Sequence, residues 1–184
     1  MKADYRVFID ACVLANFGVC DLLMRLAERP RLIVPLWSAE VLAEVRRTQI
    51  DKLKWEPRLV ASFYEELRRA FPEAEVEGYE TLVPNVTNDS KDRHVLAAAI
   101  RADCHLILTF NLKHFPPESL SPWFVKASHP QDYLLVLYEM EPKQVIGCLG
   151  EIAGRRGLEL EDVLIRLGKV LPDFSSRLLD DLGR

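Results

Sequence analysis

Through the first two thirds of the chain, short β-branched and apolar runs alternate with longer stretches of helical periodicity, and this alternation restricts the fold more than any other feature. A strand that returns to its sheet across a helix lies parallel to the strand it left, so the pattern implies βαβ units and a parallel sheet. Tyr5-Arg6-Val7-Phe8-Ile9 reads as the first strand, and Cys20 to Arg29 as a helix with Leu22, Leu23, Leu26 and Ala27 on one face. Arg31-Leu32-Ile33-Val34 is the second strand, closed by Pro35. Ser38 suits an N-cap with Glu40 in the first turn, opening a helix whose apolar stripe is Val41, Leu42, Val45 and Ile50. Pro57 fits position N1 of the next helix, continued by Phe63, Tyr64, Leu67 and Phe71. Thr81-Leu82-Val83 reads as a short strand, and Asp89 or Ser90 as the cap of a helix through Val95, Leu96, Ala99 and Ile100. Leu106-Ile107-Leu108-Thr109 is the clearest strand, and Phe124-Val125 a final edge strand.

The pattern changes after Ser128. From His129 onward only helical periodicity remains, punctuated by Pro130, Pro142, Gly157 and Pro172, so residues 129–184 read as a C-terminal helical extension to a domain at 1–128. The extension carries −3 of the chain's net charge of −4. Its apolar residues (Leu134, Leu135, Leu137, Tyr138, Val145, Ile146, Leu149, Val163, Leu164, Leu167, Val170 and Leu171) exceed what a tail needs to cover one face. Two readings follow: docking onto the domain plus a partner or second copy, or a purely intramolecular mini-bundle.

Composition removes several classes. No apolar run approaches the roughly 20 residues of a bilayer span. Met1-Lys2-Ala3-Asp4 leads straight into a strand-like segment, not a signal h-region, so the expectation is a soluble, cytoplasmic protein without a membrane partner. The cysteines Cys12, Cys20, Cys104 and Cys148 stand singly, which speaks for buried thiols and against a structural zinc site. A net charge of −4 argues against holding nucleic acid by bulk positive charge, though it leaves room for a local basic groove.

Ligands of open parallel sheets bind beyond the carboxyl ends of the strands, so the polar residues just after each strand are the candidates. Asp10 follows the first strand directly; as an isolated residue it equally fits a turn or a cap. Glu44 lies beside the stripe of Val41 and Val45, where pairing with Arg47 or Thr48 would be the ordinary role. Asp92 opens a small-residue helix and stands at capping-box spacing from Asp89. Thr109 and Asn111 end the fourth strand, with Lys113 and His114 just beyond. Together these strand ends and helix starts would bring Asp10, Glu44 and Asp92 to one rim with Asn111 alongside. Three neighbouring carboxylates repel one another unless a cation is present, and an all-oxygen site suits Mg²⁺ or Mn²⁺.

Val7-Phe8-Ile9-Asp10-Ala11-Cys12-Val13-Leu14, the Ser38 to Arg47 segment with Glu44, Asp92-Arg93-His94-Val95-Leu96-Ala97-Ala98-Ala99 and Ile107-Leu108-Thr109-Phe110-Asn111-Leu112-Lys113-His114-Phe115 together resemble the PIN domain, over residues 5 to about 128. The likeness is to the metal-dependent ribonucleases of VapC-like toxins in toxin-antitoxin pairs. It implies a three-layer α/β/α domain with a short parallel sheet, and divalent-metal-dependent cleavage of RNA phosphodiester bonds by a toxin with an antitoxin partner. By position, Asp10, Glu44 and Asp92 fall on the family's metal-binding acids, and Asn111 stands where many members carry a further Asp. That departure weakens the last metal position. Thr109 would position water or phosphate beside Asn111, and Arg47, Arg93 and Lys113 would hold the RNA backbone, although each equally fits a solvated helix face. Trp37 and Trp55 fit core packing better than base stacking, and His94 and His105 fit structural roles. A haloacid-dehalogenase-type phosphatase also starts with a strand ending in Asp. It needs a second Asp two residues on, where this chain has Cys12. A catalytically inactive PIN-like module that binds RNA or protein is the other reading.

Overall fold

The computed structural model describes residues 5–183, so the reading of Met1-Lys2-Ala3-Asp4 lies outside the described residues. Strands β1 (Arg6–Ile9), β2 (Val34–Ser38), β3 (Glu75–Val76), β4 (Leu106–Leu108) and β5 (Lys126–Ser128) form a sheet in the order β3-β2-β1-β4-β5, with every pairing parallel. β1 is central, and Val7, Phe8 and Ile9 are fully buried, as expected of a strand covered on both faces. Given this strand order, the right-handed rule for parallel crossovers assigns α1 (Ala11–Leu14), α2 (Phe17–Glu28), α3 (Ala39–Arg47) and α4 (Pro57–Ala70) to one face, and α5 (Arg93–Arg101) and α6 (Pro117–Leu120) to the other. This is the three-layer α/β/α arrangement.

Local chemistry sets the element ends. Asn16 caps α2 by accepting from the Val19 amide at 3.3 Å, and Ser38 caps α3 by accepting from Val41 at 3.2 Å. Pro57 opens α4 at its first turn. Val41, Leu42 and Val45 are buried as the periodicity requires, whereas Ile50 is exposed because the chain widens into a π-turn at Thr48–Lys52 that rotates it off the stripe.

Three strand assignments shift. Pro35 lies inside β2 and does not end it: the Val34 amide donates to Tyr5 on the β1 side, so position 35 faces the β3 side, where the first ladder bond is made only at Trp37. The missing N–H therefore removes no ladder bond. Thr81-Leu82-Val83 is part of a 3-10 helix, Glu80–Asn85, that packs on α5, and the strand facing β2 is the two-residue β3. β5 begins at Lys126, because Phe124 adopts a left-handed φ of 56° that extended pairing cannot use.

Beyond β5, α7 (Pro130–Met140), α8 (Pro142–Arg156), α9 (Leu160–Leu167) and α10 (Pro172–Leu182) follow. Pro130, Pro142 and Pro172 each open a helix, and Gly157 ends α8 at φ 61°. The four helices pack on one another, and α8 and α9 seat on α2. Of the twelve apolar residues that suggested an outward interface, nine are buried, and Leu135, Ile146 and Val170 are partly buried within the chain. One continuous apolar core runs from Val7 to Leu178. Phe174→Ala in α10 removes a fully buried ring from it and is expected to cost about 3–5 kcal/mol, measured by equilibrium denaturation of the whole chain.

Candidate functional site

The strand order reverses its direction of growth at β1, which has the earlier β2 on one side and β4 on the other, so the crevice beyond the β1 and β4 ends is the place for a ligand. Asp10 stands there, 3% exposed. Its backbone amide donates to Leu108 at 3.0 Å and continues the ladder to β4. Its carboxylate is fixed by three donors: the Ala11 amide at 2.6 Å, the Thr109 hydroxyl at 2.7 Å and the Cys12 thiol at 3.1 Å. Asp10 thus does cap α1, but the Oδ2 side is turned toward β4. Burial and the neighbouring Asp10 charge push the Cys12 thiol up to about 12, so it stays protonated and donates.

Thr109 is fully buried, and the Asn111 amide donates to its hydroxyl at 3.0 Å. Asn111 therefore reaches this group through its backbone, while its side chain is partly exposed. The expected cap of α5 is different: Asp92, not Asp89 or Ser90, is the N-cap residue, and its carboxylate makes no capping bond. Asp89 instead accepts from the Lys91 amide at 3.0 Å and closes a turn. Freed from capping, Asp92 Oδ2 lies 2.5 Å from His114 Nδ1. Burial raises the Asp92 pKa, the bond to His114 lowers it, and the Asp10 charge raises it again; the net is above the ordinary carboxylate value.

Glu44 and Asp92 line one open cavity of about 360 Å³ together with Arg47, Thr48, Asp51, Lys52 and Lys91. The ordinary pairing of Glu44 with Arg47 is present only at 4.0 Å, with Arg47 largely exposed. Arg93 turns away and donates to the Asn88 carbonyl at 3.3 Å, and Lys113 is exposed outside the cavity lining. Trp37 is buried against Phe71, and Trp55 packs edge-on against Phe17 and Phe63.

Two histidines carry more than the sequence suggested. His114 orients Asp92, and His94 is buried facing α3 with Nε2 3.1 Å from Glu44. Burial pulls the His94 pKa down, but Glu44, Glu40 and Asp92 outweigh it and hold the ring above the ordinary imidazole value. The spacing Glu40–Glu44, one turn apart on a helix, was the available signal. His105 is exposed and lies against the Phe124 carbonyl at 3.3 Å. Among the described residues, Glu40-Glu44-His94 and Asp89-Asp92-His114 each bring three ligand atoms within 4.8 Å of one another.

Because the folded-state pKa of Asp92 lies above that of the unfolded chain, its stabilising contribution is complete below the ordinary carboxylate range and disappears as pH rises through the raised value. At neutral pH the ionised group works against the metal-free fold. Asp92→Asn, which keeps an oxygen for His114, is expected to raise the melting temperature in EDTA at pH 7 and to show little gain at pH 3.

The family model for the PIN domain matches residues 4–113, more than half of the chain. A Mycobacterium tuberculosis (strain ATCC 25618 / H37Rv) protein named as a candidate ribonuclease, VapC50, is 41% identical over 103 residues. That match covers 54% of this chain and 61% of the relative's length, under two thirds of it. No solved structure matches. No helix among the described residues is long and apolar enough to cross a membrane.

Proposed function

We propose that this chain, which belongs to the PIN-domain family, is a divalent-metal-dependent endoribonuclease and the toxin of a toxin-antitoxin pair. The observation that carries the reading is the coincidence of the family match with two buried or half-buried carboxylates, Asp10 and Asp92, at the carboxyl-end crevice, close enough that the charge of one raises the pKa of the other. The like named as a ribonuclease supports the same class of chemistry.

In this reading Asp10, Glu44 and Asp92 hold Mg²⁺ or Mn²⁺, with Asn111 as a weaker fourth contributor. The residues present suit a hard cation: carboxylate oxygens, an unfavourable mutual charge, and no thiolate, since Cys12 stays protonated. When bound, such an ion supplies Lewis acidity toward water and the phosphodiester. Thr109, Cys12 and the Ala11 amide hold the Asp10 carboxylate in one orientation, in which it would serve as a ligand. His114 does the same for Asp92. Arg47, Lys52 and Lys91 around the cavity attract and orient the RNA phosphates, with Arg93 and Lys113 further along the strand's path. The partners in this reading are RNA, an antitoxin protein and a second copy of the chain, and the compartment is the cytoplasm. Residues 129–184 act as the C-terminal extension of the nuclease unit.

The test is cleavage of RNA with Mn²⁺. Activity is expected, EDTA is expected to abolish it, and Asp10→Asn is expected to lower it by about a hundredfold or more. Cleavage that survives chelation, or a folded and fully active Asp10→Asn, would overturn the reading. Asp10→Asn also has a structural cost that the sequence does not disclose: its NH₂ group would face Thr109 and Cys12, both present donors, so a loss of about 1–3 kcal/mol is expected beside the loss of activity.

Asn111 offers a neutral amide where a carboxylate would add charge. Asn111→Asp is expected to bind Mn²⁺ more tightly in calorimetry. Unchanged affinity would remove the side chain from the site.

A further inference from the structure

The side chain of His94 is 7% exposed, and its two ring nitrogens meet only the carboxylates of Glu44 and Glu40, in ion-pair contacts that lack hydrogen-bond geometry. A buried polar group left in that state costs free energy, so what faces it is informative. The facing atoms are carboxylate oxygens: Glu44 Oε1 lies 3.1 Å from Nε2, and Glu40 Oε2 lies 3.7 Å from Nδ1. Glu40 and Glu44 stand one turn apart on α3, so both carboxylates reach the His94 ring at the start of α5. One ligand atom from each of the three residues lies within 4.8 Å of the other two.

We propose that Glu40, Glu44 and His94 form a seat for a borderline transition-metal cation, Zn²⁺ in the first instance, distinct from the Asp10–Asp92 group and sharing only Glu44 with it. Ligands about 2.1 Å from a common ion stand about 3.0–3.4 Å apart at octahedral or tetrahedral angles. The separation of His94 Nε2 and Glu44 Oε1, at 3.1 Å, already has that value. Glu40 is the ligand that must adjust: its side chain is 52% exposed and meets the Tyr79 hydroxyl at 3.4 Å and His94 Nδ1 at 3.7 Å, both long contacts. The His94 imidazole separates this seat from the proposed Asp10–Glu44–Asp92 oxygen set, beside which the His114 Nδ1 is already engaged with Asp92. Imidazole favours Zn²⁺ and its neighbours in the transition series, whereas Mg²⁺ takes oxygen ligands almost exclusively. The seat stands on geometry alone. Its consequence, that Zn²⁺ draws Glu44 away from the proposed catalytic acids and inhibits RNA cleavage, rests on the nuclease reading.

The experiment is a Zn²⁺ titration of the full chain against a chromophoric chelator, with X-ray absorption at the zinc edge to detect imidazole scattering. Wild type is expected to bind one Zn²⁺ through a single imidazole. Glu40→Gln is expected to weaken binding about tenfold or more and His94→Gln further still, while Asp10→Asn leaves the affinity within about twofold. Should His94→Gln fail to fold, the exposed Glu40→Gln carries the same comparison. Affinity indifferent to Glu40 and His94, an absent imidazole signal, or a loss in Asp10→Asn equal to that in Glu40→Gln would overturn the seat. Zinc binding with these dependences in a protein that cleaves no RNA would leave the seat standing and remove the nuclease reading.

Discussion

The adjacency of β1 and β4 is the contact on which the rest of the molecule depends. It is the point where the sheet stops growing in one direction and starts growing in the other, so the helices on either side diverge and leave a crevice above the strand ends. The ladder between these strands continues one residue past β1 through the Asp10 amide, and the side chains of Asp10 and Thr109 then close it with a further bond at 2.7 Å. A charged group is thus held almost out of water at the most buried part of the sheet. That is costly unless its oxygens are matched by donors, and three donors match them. The same bonds give the carboxylate one orientation.

The acids around this point are held in different ways. Asp10 is held by main chain and hydroxyl donors that belong to the fold itself. Asp92 is held by a histidine from the segment after β4, and Glu44 faces a histidine from α5. Each carboxylate therefore reports on the packing of a different element, and the group as a whole assembles only when both faces of the sheet are in place.

Much of this was legible from residue patterns. β1 and β4 are short apolar runs that end in polar residues, and their positions follow from that contrast. The acids Asp10, Glu44 and Asp92 stand out because each interrupts or flanks an apolar stripe. What the pattern hid was three-dimensional in origin. Pro35 looks like a terminator because its missing N–H is counted against it, and only the sheet order reveals that this N–H would face no partner. β3 is too short to have a period. Asp92 and Asp89 have the spacing of a capping pair, and only the turn at Asp89 shows that the second carboxylate is left over for His114. The roles of His94 and His114 depend on partners 50 and 22 positions away, which no local window contains.

The seating of α8 and α9 on α2 joins the last part of the chain to one of its first helices. A ribosome synthesises α2 more than a hundred residues before α8 and α9 emerge, so over that interval the face of α2 they cover has no partner within its own chain. The nascent protein therefore presents an apolar helix face to the surrounding chaperones and other chains until α8 and α9 arrive. Completion of the core waits for these helices, and a chain stopped before them would carry all the proposed site acids on a domain whose α2 lacks its cover.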